Sequence, residues 1–259
     1  MYAVLSKKRI APDTYDIWLS HPDIYRYAKP GQFLIIRIDE FGERIPLTIA
    51  SAEKDKARVI VKAVGKSTYK LCAMHEGESV ADIVGPLGNP SEIEKLGTVC
   101  VVAGNEVIGI LGAANKDHLI MVDEFKPFLD RLYLSTDDGS AGVKGTVTNP
   151  LKEVIADYTP ATIWAIGPMV MMKFVSLLAY QNDIPCWVSL NPIMVDGTGM
   201  CGACRVEVGG EMKFACVHGP EFDGRLVNWD ELIKRQYQYR EEERLALEKY
   251  VRELGEKDG

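Results

Sequence analysis

Asn191-Pro-Ile-Met-Val-Asp196-Gly-Thr-Gly-Met-Cys201-Gly-Ala-Cys204-Arg-Val-Glu-Val-Gly-Gly-Glu-Met-Lys-Phe-Ala-Cys216 carries three of the six cysteines in the chain. Two residues separate Cys201 from Cys204, and eleven separate Cys204 from Cys216. The short spacing lets two thiolates on one tight loop face a common metal centre, and the surrounding glycines keep that loop bendable. Iron–sulfur clusters are usually held by four thiolates, so a fourth ligand comes from elsewhere. Asp196 stands where a first cysteine would stand. A zinc site would want three cysteines and a histidine, which His218 could complete. A disulfide with a spare thiol fits poorly with a chain that shows no secretory signal. Gly197-Thr-Gly199-Met-Cys-Gly202 also matches Gly-x-Gly-x-x-Gly, but a dinucleotide loop should open a helix. The alternating run Cys204-Arg-Val-Glu-Val reads as a strand instead. The cluster reading is the one to carry forward.

Asp-x4-Cys-x2-Cys-x11-Cys near the C-terminus resembles the small subunit of the electron-bifurcating NADH-dependent ferredoxin:NADP oxidoreductases, also described as sulfide dehydrogenase subunits. It is similar, too, to the electron-transfer subunit of dihydroorotate dehydrogenase, which has Cys at the first position. The resemblance covers nearly the whole chain. It implies that Asp196, Cys201, Cys204 and Cys216 hold one 2Fe–2S cluster.

Apolar residues make up 47 % of the 259 and charged residues 26 %, an ordinary globular balance. The net charge of −7 speaks against a nucleic-acid partner. No apolar run reaches the ~18 residues of a membrane span, and no signal peptide is evident, so a cytoplasmic setting with free thiols is expected. Cys72, Cys100 and Cys186 stand in apolar surroundings and read as core residues.

Working back to the N-terminus, residues 1–97 read as an antiparallel barrel. Tyr2-Val4-Leu5, Tyr15-Ile17-Leu19, Phe33-Ile35-Arg37 and Val59-Val61-Ala63 alternate with period two, between turns at Pro12-Asp13, Pro30-Gly31 and 53–56. Arg44-Ile-Pro46-Leu47-Thr48-Ile49-Ala-Ser51 puts a cation, a proline and hydroxyls on one strand. Lys62-Ala-Val-Gly65-Lys66-Ser67-Thr68 offers a glycine, lysines and hydroxyls suited to phosphate. Read singly, each stretch is as well explained by strand packing and solvated charge. Together, and followed by Gly85-Pro86-Leu87-Gly88, they resemble the flavin barrel of the ferredoxin–NADP reductase superfamily. The resemblance implies FAD, with the ring along Pro46-Leu47-Thr48 and the phosphates near Arg44 and Gly65–Thr68. The residues alone admit FMN as well.

Residues 98–190 read as an NAD(H)-binding domain with a doubly wound parallel sheet. Strands are expected at 99–102, 105–111, 131–135, 162–166 and 186–190, and helices at 117–130, 146–157 and 168–181. Asp137-Asp138 and Gly167-Pro168-Met169 end two strands at the carboxyl edge, where nicotinamide nucleotide is expected. A parallel crossover needs about ten residues or more, yet Gly104 and Asn105 leave no room between the first two strands. The resemblance implies a glycine-rich nicotinamide loop and first helix at this place, roughly twenty residues and more than the crossover minimum. The expectation is that this segment is missing there and that the two strands run parallel. Loss of the glycine-rich loop, giving a hairpin, is the alternative.

Residues 191–259 would form the cluster subdomain and a charged C-terminal helix or helix pair from Asp230 to Leu254. Its stripe Leu245, Tyr250, Val251 and Leu254 suits packing on the parent domain or on a partner. The whole reads as an oxidoreductase subunit passing electrons between NAD(H), FAD and a 2Fe–2S cluster, in a heterodimer with a larger flavin and iron–sulfur subunit. No side chain is expected to serve as an acid–base catalyst. The rivals are a subunit of dihydroorotate or sulfide dehydrogenase, and a relay module without nicotinamide binding.

Overall fold

Alternation of apolar and polar residues builds the first part of the chain. In the computed structural model, which describes residues 2–91, 101–103 and 106–255, the elements begin with β1 (Tyr2–Ala11), β2 (Thr14–Ser20) and a single helical turn α1 (Ile24–Tyr27). β3 (Phe33–Arg37), β4 (Arg44–Thr48), β5 (Ser51–Glu53) and β6 (Lys56–Lys62) follow. Helix α2 (Lys66–Ala73), β7 (Ser79–Val80) and β8 (Asp82–Leu87) complete the barrel. All pairings are antiparallel, in the orders β5-β6-β2-β1-β7 and β4-β3-β8. Ile17 and Leu19 of β2 and Ala57, Val59 and Val61 of β6 point inward, fully buried. The expected turns are present, with Asp13 and Asp55 at positive φ, a conformation Asp tolerates better than most residues.

β3 breaks the alternation. Phe33, Leu34, Ile35 and Ile36 are all buried, because the strand lies between two cores. Leu34 and Ile36 fill the barrel. Phe33 and Ile35 face the other way, into a core shared with the α/β sheet and the cysteine loop.

That sheet contains β9 (Val101–Ala103), β10 (Glu106–Ala113), β11 (Arg131–Thr136), β12 (Val143–Lys144), β13 (Thr162–Ile166) and β14 (Cys186–Ser189). Between β10 and β11 lies the short turn α3 (Val122–Phe125), and α4 (Thr148–Tyr158) and α5 (Met169–Gln181) follow further on. The strand order is β12-β11-β10-β9-β13-β14-β17, where β17 (Glu221–Asp223) returns from beyond the cysteine loop. β10 pairs in parallel with β11, and β13 with β14.

Two expectations fail here. First, β9 runs antiparallel to both β10 and β13, so the first two strands form a hairpin, with Ala103 opposite Glu106. A connection too short for a crossover can only reverse the chain. The later βα units hold β10, β11, β13 and β14 parallel, so the three-residue β9 is the strand that turns over. Gly104, Asn105, Cys100 and the 97/98 boundary lie outside the described residues. Second, 117–130 is not one helix. Lys116–His118 and Lys126–Phe128 are single 3₁₀ turns around α3. Met121 has φ 58°, and Pro127 lacks the N–H a continuous helix would need.

The cysteine stretch leads into the hairpin β15 (Arg205–Val208) and β16 (Glu211–Phe214), then the single turn α6 (Ala215–His218). Gly209 and Gly210 both have positive φ, as a two-residue hairpin turn of type I′ demands. After β17, α7 (Trp229–Gln236) packs between α5 and β15, and α8 (Arg240–Gly255) lies on α2. Lys70 of α2 sits over the Tyr250 ring at 5.7 Å. The C-terminal helix therefore packs on its own chain, but not by the expected stripe: Leu245, Val251 and Leu254 are exposed. Tyr250 alone of those four is half-buried, alongside Ala246 and Leu247.

Candidate redox centre

Asp196 organises the cysteine loop. Its Oδ1 accepts from the Thr198 N–H at 2.8 Å and its Oδ2 from the Cys201 N–H at 2.7 Å. Those bonds, Thr198's first, outweigh partial burial and hold the carboxyl below its usual range. Each carboxylate oxygen keeps a further lone pair for a metal. Cys204 and Cys216 form the other half of the site, buried and free, with sulfurs 3.1 Å apart. Burial, and then the neighbouring Cys204, push the Cys216 thiol up to about 12. Cys201 is exposed, and its sulfur accepts from the Ala203 N–H at 3.5 Å. Among the described residues no three His, Cys, Asp or Glu side chains converge as ligands of one ion. They gather as two pairs, Asp196 with Cys201 and Cys204 with Cys216, which is the donor set a two-iron centre would take. His218 is otherwise engaged: its Nδ1 accepts from the Phe214 N–H at 2.9 Å. Cys72 and Cys186 are buried core thiols, each pushed up to about 11 by burial.

The loop is seated on the barrel. Gly197 has φ 74°, and a Cβ there would lie 2.5 Å from Leu87 Cδ1 and 3.0 Å from Ile35 Cγ1. The adjoining joint is polar. Asn89 donates its N–H to the Gly219 carbonyl at 2.7 Å, and Ser91 Oγ donates to Glu221 at 2.6 Å. The Pro30-Gly31 turn belongs to this joint, since the Ser91 N–H donates to the Pro30 carbonyl at 2.9 Å.

β4 is an edge strand, which is where a strand proline is tolerated. Pro46 pairs with Ile35. Arg44, Pro46, Leu47, Ile49 and Ser51 are half-buried and Thr48 is exposed. Arg44 Nη2 pairs with Asp82 at 3.1 Å and keeps other donors of its fork free. Gly65 to Thr68 open α2. Thr68 Oγ1 accepts from the Gly65 N–H at 3.0 Å, and a Cβ at Gly65 would meet open space. Lys62 is exposed at the end of β6. The two segments meet through a residue the sequence reading passed over. Glu43, next to Arg44, accepts from Ser67 Oγ at 2.5 Å. A carboxylate thus sits on a first-turn hydroxyl of α2, close to where a phosphate would meet the helix N-terminus. Arg37, facing Arg44 across the strands, buries an Nε that has no partner among the described residues. These residues fit a flavin diphosphate.

At the carboxyl edge, Asp137 and Asp138 are exposed. The hydroxyl and then the N–H of Ser140 hold Asp138 below its usual range. Gly167 has φ 153° and Pro168 caps α5. The Met169 side chain is in the core, which leaves its backbone at that edge.

A family profile, the iron–sulfur cluster binding domain of dihydroorotate dehydrogenase B, matches residues 191–228. The electron transfer subunit homolog of dihydroorotate dehydrogenase B from Thermotoga maritima is 50 % identical, over 98 % of this chain and 97 % of its own. The corresponding electron transfer subunit from Desulforamulus reducens is 32 % identical, over 88 % and 97 %. The chain belongs to the dihydroorotate dehydrogenase B electron transfer subunit family. Within that family, the Thermotoga alignment spans 275 residues against 259 here, so the relative has residues with no counterpart in this member. A solved structure of an NADH-dependent reduced ferredoxin-NADP oxidoreductase, studied for flavin-based electron bifurcation, is 48 % identical to this family member. It superposes with a TM-score of 0.89, covering 97 % of this chain and 98 % of that one. The fold is the ferredoxin reductase-like one with an iron–sulfur domain. Among the described residues no helix is long and apolar enough to cross a membrane.

Proposed function

We propose that this chain is the electron-transfer flavoprotein subunit of an electron-bifurcating, NADH-dependent ferredoxin:NADP oxidoreductase. The observation that carries the reading is the near full-length match, at 48 % identity, to the structure of such an enzyme. The chain divides into a flavin barrel (1–97), a nicotinamide domain (98–190) and a cluster subdomain with the C-terminal helices (191–259). Arg44 and the Gly65–Thr68 helix start hold the FAD phosphates, displacing Glu43, while Pro46, Leu47, Thr48, Ile49 and Ser51 line the ring and Lys62 flanks it. Asp196, Cys201, Cys204 and Cys216 hold the 2Fe–2S cluster. Asp137, Asp138 and Gly167-Pro168-Met169 face NAD(H). Bound there, the flavin supplies the exchange between two-electron hydride chemistry and the cluster's single electrons. The protein's work is placement. β3 lies between the flavin strand and the cluster loop, and its buried Phe33 and Ile35 fill the core shared by the two. The partner is a larger flavin and iron–sulfur subunit in the cytoplasm.

Copurification with a dihydroorotate or sulfide dehydrogenase subunit would favour that rival, which Asp196 in place of cysteine weighs against. The β9–β10 hairpin favours a second reading, a relay that takes electrons from its partner without binding nicotinamide. Anaerobic NADH titration of the purified chain separates the two. Bleaching of the flavin supports the dehydrogenase reading, and an unbleached flavin that dithionite reduces normally supports the relay.

A further inference from the structure

Two of the three peptide units between Cys201 and Cys204 are each held by an arginine. Arg205 Nη1 donates to the Gly202 carbonyl at 3.2 Å, and Arg235 Nη2 donates to the Ala203 carbonyl at 3.2 Å. A trans peptide unit is planar, with its C=O and N–H directed oppositely. The Gly202 carbonyl and the Ala203 N–H belong to one such unit, and that N–H donates to the Cys201 sulfur. A cation at the oxygen end therefore fixes a donor at the sulfur end. Arg235 reaches the loop from α7, 32 residues along the chain. That helix is independently anchored. Asn228 caps it by accepting from the Glu231 N–H, Trp229 Nε1 donates to the Gly224 carbonyl, and Asp230 pairs with Lys173 of α5.

We propose that Arg205 and Arg235 are positioning residues for the cluster: Arg205 aims the Ala203 amide at the Cys201 sulfur, Arg235 pins the neighbouring peptide unit, and together they raise the cluster's reduction potential. The inference rests on the reading that this loop carries a 2Fe–2S centre. Reduction adds one electron, from the reduced flavin or from dithionite in the test, with no bond formed or broken. Donors to sulfur and nearby positive charge favour the more negative, reduced state. Arg235 is half-buried and Arg205 exposed, so solvent screens Arg235 less and its effect is the larger.

The test is a potentiometric titration of the full chain with its cluster, followed by electron paramagnetic resonance. In Arg235→Gln the reduced-to-oxidised ratio at a fixed potential should fall about tenfold, equivalent to about 59 mV for one electron. Arg205→Gln should shift it the same way by less, and Arg235→Lys, which keeps the charge, should recover part of the loss. If Arg235→Gln fails to retain a cluster, Arg205→Gln, which leaves α7 untouched, decides alone. Unmoved midpoints in a cluster-bearing protein overturn this inference only. A wild-type chain holding zinc or no metal overturns the cluster reading and this inference with it.

Discussion

Asp196 is both a candidate ligand and the organiser of its own loop, and the two roles separate by substitution. Asp196→Cys supplies a softer ligand; the expected outcome is a retained cluster with an altered midpoint potential in the same titration. Asp196→Ala removes two charge-assisted acceptors, worth roughly 1.5 kcal/mol or more each. The yield of iron and sulfide per chain should fall severalfold. At this scale the sequence was legible where spacing carries the chemistry: Asp196 lies beside Cys201, and Cys204 beside Cys216, as two pairs. Glu43, Arg37 and Arg235 were not legible. Their roles depend on contacts made after folding, and an arginine 32 residues from the carbonyl it holds leaves no local pattern to read.

Among the elements, β3 matters most. Ile35 is fully buried in the shared core, so Ile35→Ala should leave a cavity and cost about 2–5 kcal/mol, read as a lower urea midpoint. At the neighbouring β4, Arg44→Ala would remove the proposed donor to the flavin phosphates. Loss of about 1.5–3 kcal/mol should raise flavin release on dilution roughly ten- to a hundredfold, followed by the fluorescence of the freed cofactor. Period-two alternation made β2 and β6 readable in the sequence, and the continuous apolar runs gave β13 and β14. The 117–130 segment misled because its apolar residues suit a helix while its backbone breaks at Met121 and Pro127. β9 misled differently: the run of β-branched residues announced a strand but not its direction, which the length of the connection decides.

At the scale of the molecule, barrel and α/β sheet are tied by Arg58. It holds Asp16 within the barrel at 2.7 Å and Glu124 of α3 at 2.8 Å. Arg58 lowers the Glu124 carboxyl below its usual 4.5, so this contribution is complete above pH 4.5 and fades as pH falls through the lowered value. The Glu124 side chain is half in water, so Glu124→Gln should cost less than about 1 kcal/mol at pH 7. Urea midpoints of variant and wild type should converge in acid, and a gap that widened there would contradict the assignment. The seating of Gly197 against Ile35 and Leu87 also bears on portability. Residues 191–228 form a recognisable unit of sequence, but the floor beneath their loop is written in residues 33–87. Transplanted alone into another scaffold, the segment would bring its ligands and leave behind the surface that gives them their shape. Engineers moving this centre would have to carry the barrel strand with it.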